Sequence, residues 1–116
     1  LAVARFMVLL AARAAGIPAY DTIFADFRDL AALERDARAA AAMGFDGKFA
    51  IHPLQIPVIR AAFTPADDAV EHARRVLADF DAALERGEGA VAVGGQMVDA
   101  PVAERARALL KRAEAL

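Results

Sequence analysis

Ten consecutive residues, Gly44-Phe45-Asp46-Gly47-Lys48-Phe49-Ala50-Ile51-His52-Pro53, leave the chain few ways to fold. Gly44 closes a long run of helix formers, where a left-handed residue is needed and glycine adopts that conformation at little steric cost. Asp46-Gly47 is a turn dipeptide. Lys48 to Ile51 is too short and too apolar for a half-exposed strand and is predicted to be a buried one. His52-Pro53 ends it, because proline has no donor for a ladder. Ligands of α/β proteins gather beyond the carboxyl ends of such strands, so Ile51, His52 and Pro53 are the predicted edge of a site.

What precedes this stretch has the matching alternation. Leu1 to Ala15 is rich in helix formers, with Gly16 and Pro18 as stop signals. It starts with no methionine and no capping residue, so N-terminal sequence is expected to be missing. It is apolar, but Arg5 and Arg13 interrupt it; it is too short for a bilayer span and lacks the layout of a signal peptide. Tyr20 to Ala25 carries Tyr20, Thr22, Ile23 and Phe24, residues at home in strands. Asp29 is placed to cap a helix over Leu30 to Met43, with Leu30, Leu33, Ala37 and Ala40 or Ala41 on its apolar face. Strand, helix and strand within roughly 30 residues make a βαβ unit, which implies a parallel sheet.

The pattern changes near Thr64. Leu54 to Phe63 is predicted as a short helix with Pro57 in its first turn. Thr64-Pro65-Ala66-Asp67 has the layout of a helix start, with a capping hydroxyl, a first-turn proline and an acid three residues on. The helix that follows, to about Arg86, spaces Val70, Ala73, Leu77, Phe80 and Leu84 three and four apart, a narrow apolar seam. Ala90 to Val93 and Gln96 to Val98 flank Gly94-Gly95, a two-residue hairpin signal. Asp99-Ala100-Pro101 opens a last helix to about Ala113, with Val102, Ala106, Leu109, Leu110 and Ala113 inward. The expected organisation is α/β over residues 1–63 and helix-hairpin-helix over residues 64–116.

Composition closes off several functions. The 116 residues are 59% hydrophobic, which excludes a disordered chain. A net charge of −2, from 14 basic and 16 acidic residues with no basic stripe, argues against a nucleic-acid partner. There is no cysteine, so disulfides and thiolate-based metal or redox chemistry are out, in keeping with a cytoplasmic protein.

Taken together, Ala25-Asp26-Phe27-Arg28-Asp29, Gly44-Phe45-Asp46-Gly47-Lys48 running into Ile51-His52-Pro53 with Gln55-Ile56, Phe63-Thr64-Pro65, and Gly95-Gln96-Met97-Val98-Asp99-Ala100-Pro101 resemble the C-terminal part of citrate lyase β-subunit-like proteins. These belong to the HpcH/HpaI aldolase/citrate lyase superfamily, with malyl-CoA lyases as close relatives. The resemblance covers essentially the whole chain and rests on the motifs jointly. It implies the C-terminal portion of a (β/α)8 TIM barrel, with Tyr20 to Ala25 as the seventh strand and Lys48 to Ile51 as the eighth. A lid extension follows that reaches the active site of a neighbouring subunit. It further implies Mg2+, a coenzyme A thioester as substrate, a homo-oligomer (trimer or hexamer), and making or breaking of a carbon–carbon bond beside the thioester. The family's metal-binding acids and substrate-binding arginine lie on earlier strands that these residues do not include. No metal ligand is therefore assigned, and the 116 residues alone are expected to be inactive.

By the same resemblance Asp99, in the Gly-x-Met-x-Asp-x-Pro motif, is the catalytic acid/base on the lid; its other reading is a helix cap, and the two are compatible. Ile51, His52 and Pro53 face the coenzyme A. Asp26 either lines that channel or holds its loop, and Asp29 caps. His52 as a structural histidine is the plain alternative, and His72 is expected to be merely solvated. Lys48, expected just before its strand on the face away from the site, has no Schiff-base role. Two rival functions stand beside the lyase. One is a non-catalytic interaction module that associates through the open sheet edge and the Val70 to Leu84 seam. The other is a metal-dependent aldolase acting on free 2-oxo acids.

Overall fold

The computed structural model describes residues 2–115. They form two compact units, one ending at Phe63 and one starting at Thr64.

In the first unit, α1 (Ala2–Ala15) leads into β1 (Tyr20–Asp21), α2 (Leu30–Met43), β2 (Gly47–Lys48) and α3 (Gln55–Phe63). β1 and β2 pair in parallel, Tyr20 opposite Gly47 and Asp21 opposite Lys48, so the expected βαβ unit forms. Asp29 caps α2 by accepting the Ala32 N–H at 3.0 Å. Gly44 ends that helix with φ 110°, and the Phe45 N–H reaches back to the Ala40 carbonyl at 3.1 Å. This is a Schellman closure, and it swings Phe45 into the core. Phe45 is 1% exposed and packs with Leu9, Ala12, Ala19, Leu33, Ala37, Ala40, Ile59 and Phe63. Burying one such ring contributes roughly 1.5–3 kcal/mol. The small Ala face of α2 packs it against β2 and α3.

The strands are shorter than the sequence predicts. Tyr20 to Ala25 pairs over Tyr20–Asp21 only, and the second strand is Gly47–Lys48 where Lys48 to Ile51 is expected. Gly47 is therefore a ladder residue and not a left-handed turn residue; its backbone lies under the Tyr20 ring. The ladder stops where the Ile51 N–H turns from the neighbouring strand to Gln55 Oε1, and side chains bond the alternate carbonyls of the first segment. Lys48 Nζ claims that of Thr22 and Gln55 Nε2 that of Phe24. Nor is the second segment buried throughout. Asp21 and Lys48 point toward Arg5 of α1 and Asp36 of α2, the helix-covered face. Their neighbours alternate to the other face, where Tyr20 and Phe49 lie exposed with ring centroids 5.7 Å apart.

The second unit holds α4 (Asp67–Glu85), β3 (Val91–Val93), β4 (Gln96–Val98) and α5 (Ala100–Ala115). The hairpin is antiparallel as expected, with Val93 opposite Gln96. Gly94 and Gly95 both take positive φ, 57° and 78°, the demand of a tight primed turn. The N-cap position of α4 is Ala66, not Thr64. The helix starts at Asp67 after an extended Ala66 that gives no side-chain cap, and Asp67 and Asp68 occupy the first turn. Two acids there satisfy the positive helix end directly.

The apolar stripe of α4 is Ala73, Val76, Phe80 and Ala83, turned slightly from the expected seam, and Leu84 is half exposed. Val93 and Val98 from the hairpin and Ala103 and Ala106 from α5 cover it, with Leu77, Val102, Leu109 and Leu110 partly buried around them. The seam is thus mostly a core face of its own unit, which leaves little of it for the partner contact of the interaction-module reading. Ala103, not Ala113, completes the inward face of α5.

Candidate functional site

Beyond the two-rung ladder the ends of β1 and β2 diverge into two loops, and one side chain stands between them. Gln55, the first residue of α3, is fully buried. Its Oε1 accepts the Ile51 N–H at 2.9 Å and its Nε2 donates to the Phe24 carbonyl at 2.8 Å. A buried amide with donor and acceptor both satisfied is a rigid link.

The loops carry the candidate site residues. His52 stacks on Phe27 from the other loop, with centroids 4.5 Å apart and planes 10° from parallel. Arg28 lies over the same Phe27 ring at 5.4 Å. His52 Nδ1 accepts the Leu54 N–H at 3.1 Å. That hydrogen bond assigns the imidazole proton to Nε2, so neutral His52 presents a donor and not a base on its free side. Ile51 and Pro53 are exposed beside it. Asp26 is exposed too, and its carboxylate accepts the Arg28 N–H at 3.3 Å, bracing the loop. The structure thus brings Ile51, His52 and Pro53 together with Phe27 and Arg28.

Behind the loops, on the helix-covered face, lies a buried ion cluster. Lys48 Nζ donates to Asp21 Oδ2 at 2.9 Å and to the Thr22 carbonyl at 2.7 Å, and meets Asp36 Oδ2 at 2.7 Å. Arg5 clasps Asp21 through Nε and Nη2 at 3.2 and 2.8 Å. Two cations face two anions. Burial opposes ionisation of Asp21, but the Lys48 ammonium and the Arg5 guanidinium outweigh it and hold the carboxyl below its ordinary value. The expectation that Lys48 precedes its strand is corrected: it is a strand residue with its side chain fully buried. Its Nζ is buried against the Asp21 and Asp36 carboxylates and the Thr22 carbonyl, out of a substrate's reach, so it is no nucleophile.

In the second unit Asp99 follows β4 directly and caps α5. Its Oδ1 faces the Val102 N–H at 3.3 Å and its carbonyl accepts the Ala103 N–H at 2.9 Å. It is half buried, and the cap uses one carboxylate oxygen only. His72 is exposed on α4.

A divalent metal does not fit the described residues. No three His, Asp or Glu side chains among them converge, and Asp21 and Asp36 are already matched by Lys48 and Arg5. Among the described residues no helix is long and apolar enough to cross a membrane. Sequence reasoning missed Phe27 as the partner of His52 and Gln55 as the link between the loops. It also missed the Arg5–Asp21–Lys48–Asp36 cluster.

Comparison with known proteins fits this geometry. The sequence profile of the HpcH/HpaI aldolase/citrate lyase family matches residues 1–53. The β subunit of citrate lyase from Escherichia coli K12 is 44% identical over 111 residues, 96% of this chain and 37% of that protein. The chain belongs to this family. Mouse mitochondrial citramalyl-CoA lyase is 39% identical over 113 residues, 97% of this chain and 33% of that protein. A crystal structure of the protein CitE from Mycobacterium tuberculosis, in complex with magnesium, acetoacetate and coenzyme A, superposes with a TM-score of 0.77. It is 48% identical and the match covers 95% of this chain and 40% of that one. The chain spans about a third of the length of the curated relatives it matches.

Proposed function

We propose that these residues supply the last two strands of a (β/α)8 barrel and the lid of a magnesium-dependent acyl-CoA lyase or synthase of the malyl-CoA or citramalyl-CoA type. The observation that carries this is the parallel β1–β2 pair, which delivers Phe27, Ile51, His52 and Pro53 to one place beyond the strands' carboxyl ends. In this reading that place is the edge against which the coenzyme A thioester lies, with Asp26 holding its loop. The exposed face of Tyr20 and Phe49 is the barrel interior. The relatives named above support the chemistry: two are lyases by name, and the crystal of the third holds coenzyme A.

Asp99 is the acid/base. Cleavage of the carbon–carbon bond beside a thioester leaves an enolate, and its α-carbon must take up a proton; in synthesis the same carbon gives one up. A positioned carboxyl moves that proton. Capping α5 through Oδ1 fixes the carboxylate while leaving its second oxygen outside the cap. In this reading Asp99 works on a thioester held by another copy of the protein, within a trimer or hexamer. In this reading magnesium would be held by acids of the barrel's earlier strands, since no three metal-ligating side chains converge among the described residues.

Asp99→Asn in the full-length protein tests the role. Asparagine still caps, so turnover should fall by about 100-fold or more with thermal stability unchanged. Unchanged turnover removes Asp99 from the mechanism. Calorimetric titration of the full-length protein with acetyl-CoA tests the class. A second reading, association without catalysis, is favoured by the exposed Val3, Phe6, Met7 and Leu10 of α1; it predicts no heat of acetyl-CoA binding.

A further inference from the structure

The parallel register of β1 and β2 says where the next rung should be. Phe49 N–H donates to the Asp21 carbonyl at 3.1 Å. One repeat later, two residues on along each strand, the Ile51 N–H would reach the Ile23 carbonyl. Instead it donates to Gln55 Oε1, and Gln55 Nε2 donates in turn to the Phe24 carbonyl. A rung of one hydrogen bond has been replaced by two hydrogen bonds in series with a planar carboxamide between them. The strand ends are therefore held apart by the width of an amide and are also tied together. The spacer comes from α3, not from either strand, and none of its polar atoms reaches water.

We propose that Gln55 is a positioning residue for the acyl-CoA edge: its carboxamide is a fixed spacer that sets the separation at which Phe27 and His52 stack. The ring pair bridges the same two loops that the amide spans, one residue beyond Ile51 and three beyond Phe24. Rings whose centroids lie 4.5 Å apart tolerate little change in the distance between their backbones. The effect on catalysis rests on the reading of this edge as the acyl-CoA site; the effect on the ring pair does not.

Apolar or ionised side chains do not reproduce this link. Methionine fills the volume but makes neither hydrogen bond. Ionised glutamate accepts from Ile51 but presents an oxygen to the Phe24 carbonyl. The test uses the full-length protein with histidine selectively labelled and the His52 resonance assigned by its loss in His52→Gln. In the wild type the His52 ring protons should lie upfield, under the Phe27 ring current. Gln55→Met and Gln55→Glu should both move them toward free-imidazole positions. KM for the acyl-CoA should rise about 10-fold with kcat within about twofold, a split that general loss of folded protein does not produce. A His52 ring shift unchanged in either folded variant overturns the proposal. A lost ring shift with unaltered KM upholds the spacer and refutes the edge as the acyl-CoA site. Should Gln55→Met fail to fold, Gln55→Glu, which keeps the Ile51 hydrogen bond, decides by the same two readouts.

Discussion

The Lys48 ammonium lies 2.9 Å from Asp21 Oδ2, directly across the β1–β2 ladder, with neither side chain reaching solvent. The pair cross-links the strands at the last rung before they diverge. Lys48→Met should therefore destabilise the protein by about 3 kcal/mol, because it leaves Asp21 buried with Arg5 as its remaining cation. Met for Lys48 combined with Leu for Asp21 should cost clearly less than the sum of the single changes, since no lone charge is then stranded. Denaturant unfolding of the four proteins gives the cycle, and strict additivity would show the pair to be uncoupled.

The same contact fixes a pH dependence. Asp21 is held below its ordinary value, so the unfolded chain binds its proton first as acid is added. The stabilisation is complete above the unfolded carboxylate value of about 4 and is lost as pH falls through the lower folded value. Stability of the wild type should thus drop more steeply below pH ~4 than that of Asp21→Asn, measured by thermal melts across the acid range. Parallel acid limbs would place the titration on other carboxylates.

What could be read in advance follows from what local chemistry decides. α2 and its ends were legible because Asp29 and Gly44 cap it through their own backbone neighbourhood. The glycine hairpin was legible for the same reason. Strand lengths were not. Tyr20 to Ala25 has strand composition throughout, but how far it pairs depends on Gln55, about 30 residues away, which takes the Ile51 N–H of the next rung and bonds the Phe24 carbonyl. The start of α4 was misplaced because Thr64-Pro65 and Asp67-Asp68 are both acceptable openings, and the acids won. In the site, His52 was visible as a residue type at a strand's end. Its orientation was not, since the Phe27 ring and the Leu54 N–H that set it carry no mark in the sequence.

Two glycines separate conformational need from space. Gly44 has φ 110°, a conformation costly for any other residue, and Leu9 is close by. Gly44→Ala should cost about 1–3 kcal/mol. Gly47 has an ordinary φ, and a Cβ there would lie 3.2 Å from the Tyr20 ring. That ring is half exposed and can give way, so Gly47→Ala should change stability by no more than about 0.5 kcal/mol. Equal losses at the two sites, in the same unfolding assay, would mean that the Tyr20 ring is immobile.

The proposal that Asp99 acts on a neighbouring copy makes a prediction no single variant can test. Asp99→Ser keeps a side-chain oxygen for the α5 cap but removes the carboxyl; Asp99→Ala removes both and should cost about 1 kcal/mol more. Turnover should be lost in each, and stability in the second alone. Ile51→Asp places a negative charge on the proposed edge, against the phosphates of coenzyme A, and should abolish binding there. Each variant is then inactive by itself. Unfolded together in equal amounts and reassembled, they form mixed oligomers. If the acid comes from one copy and the edge from another, about one quarter of the sites receive an intact edge from an Asp99→Ser chain and an intact Asp99 from an Ile51→Asp chain. Activity should return to about that fraction of wild type. If edge and acid belong to the same chain, every site keeps one lesion, and the mixture stays as inactive as its parts.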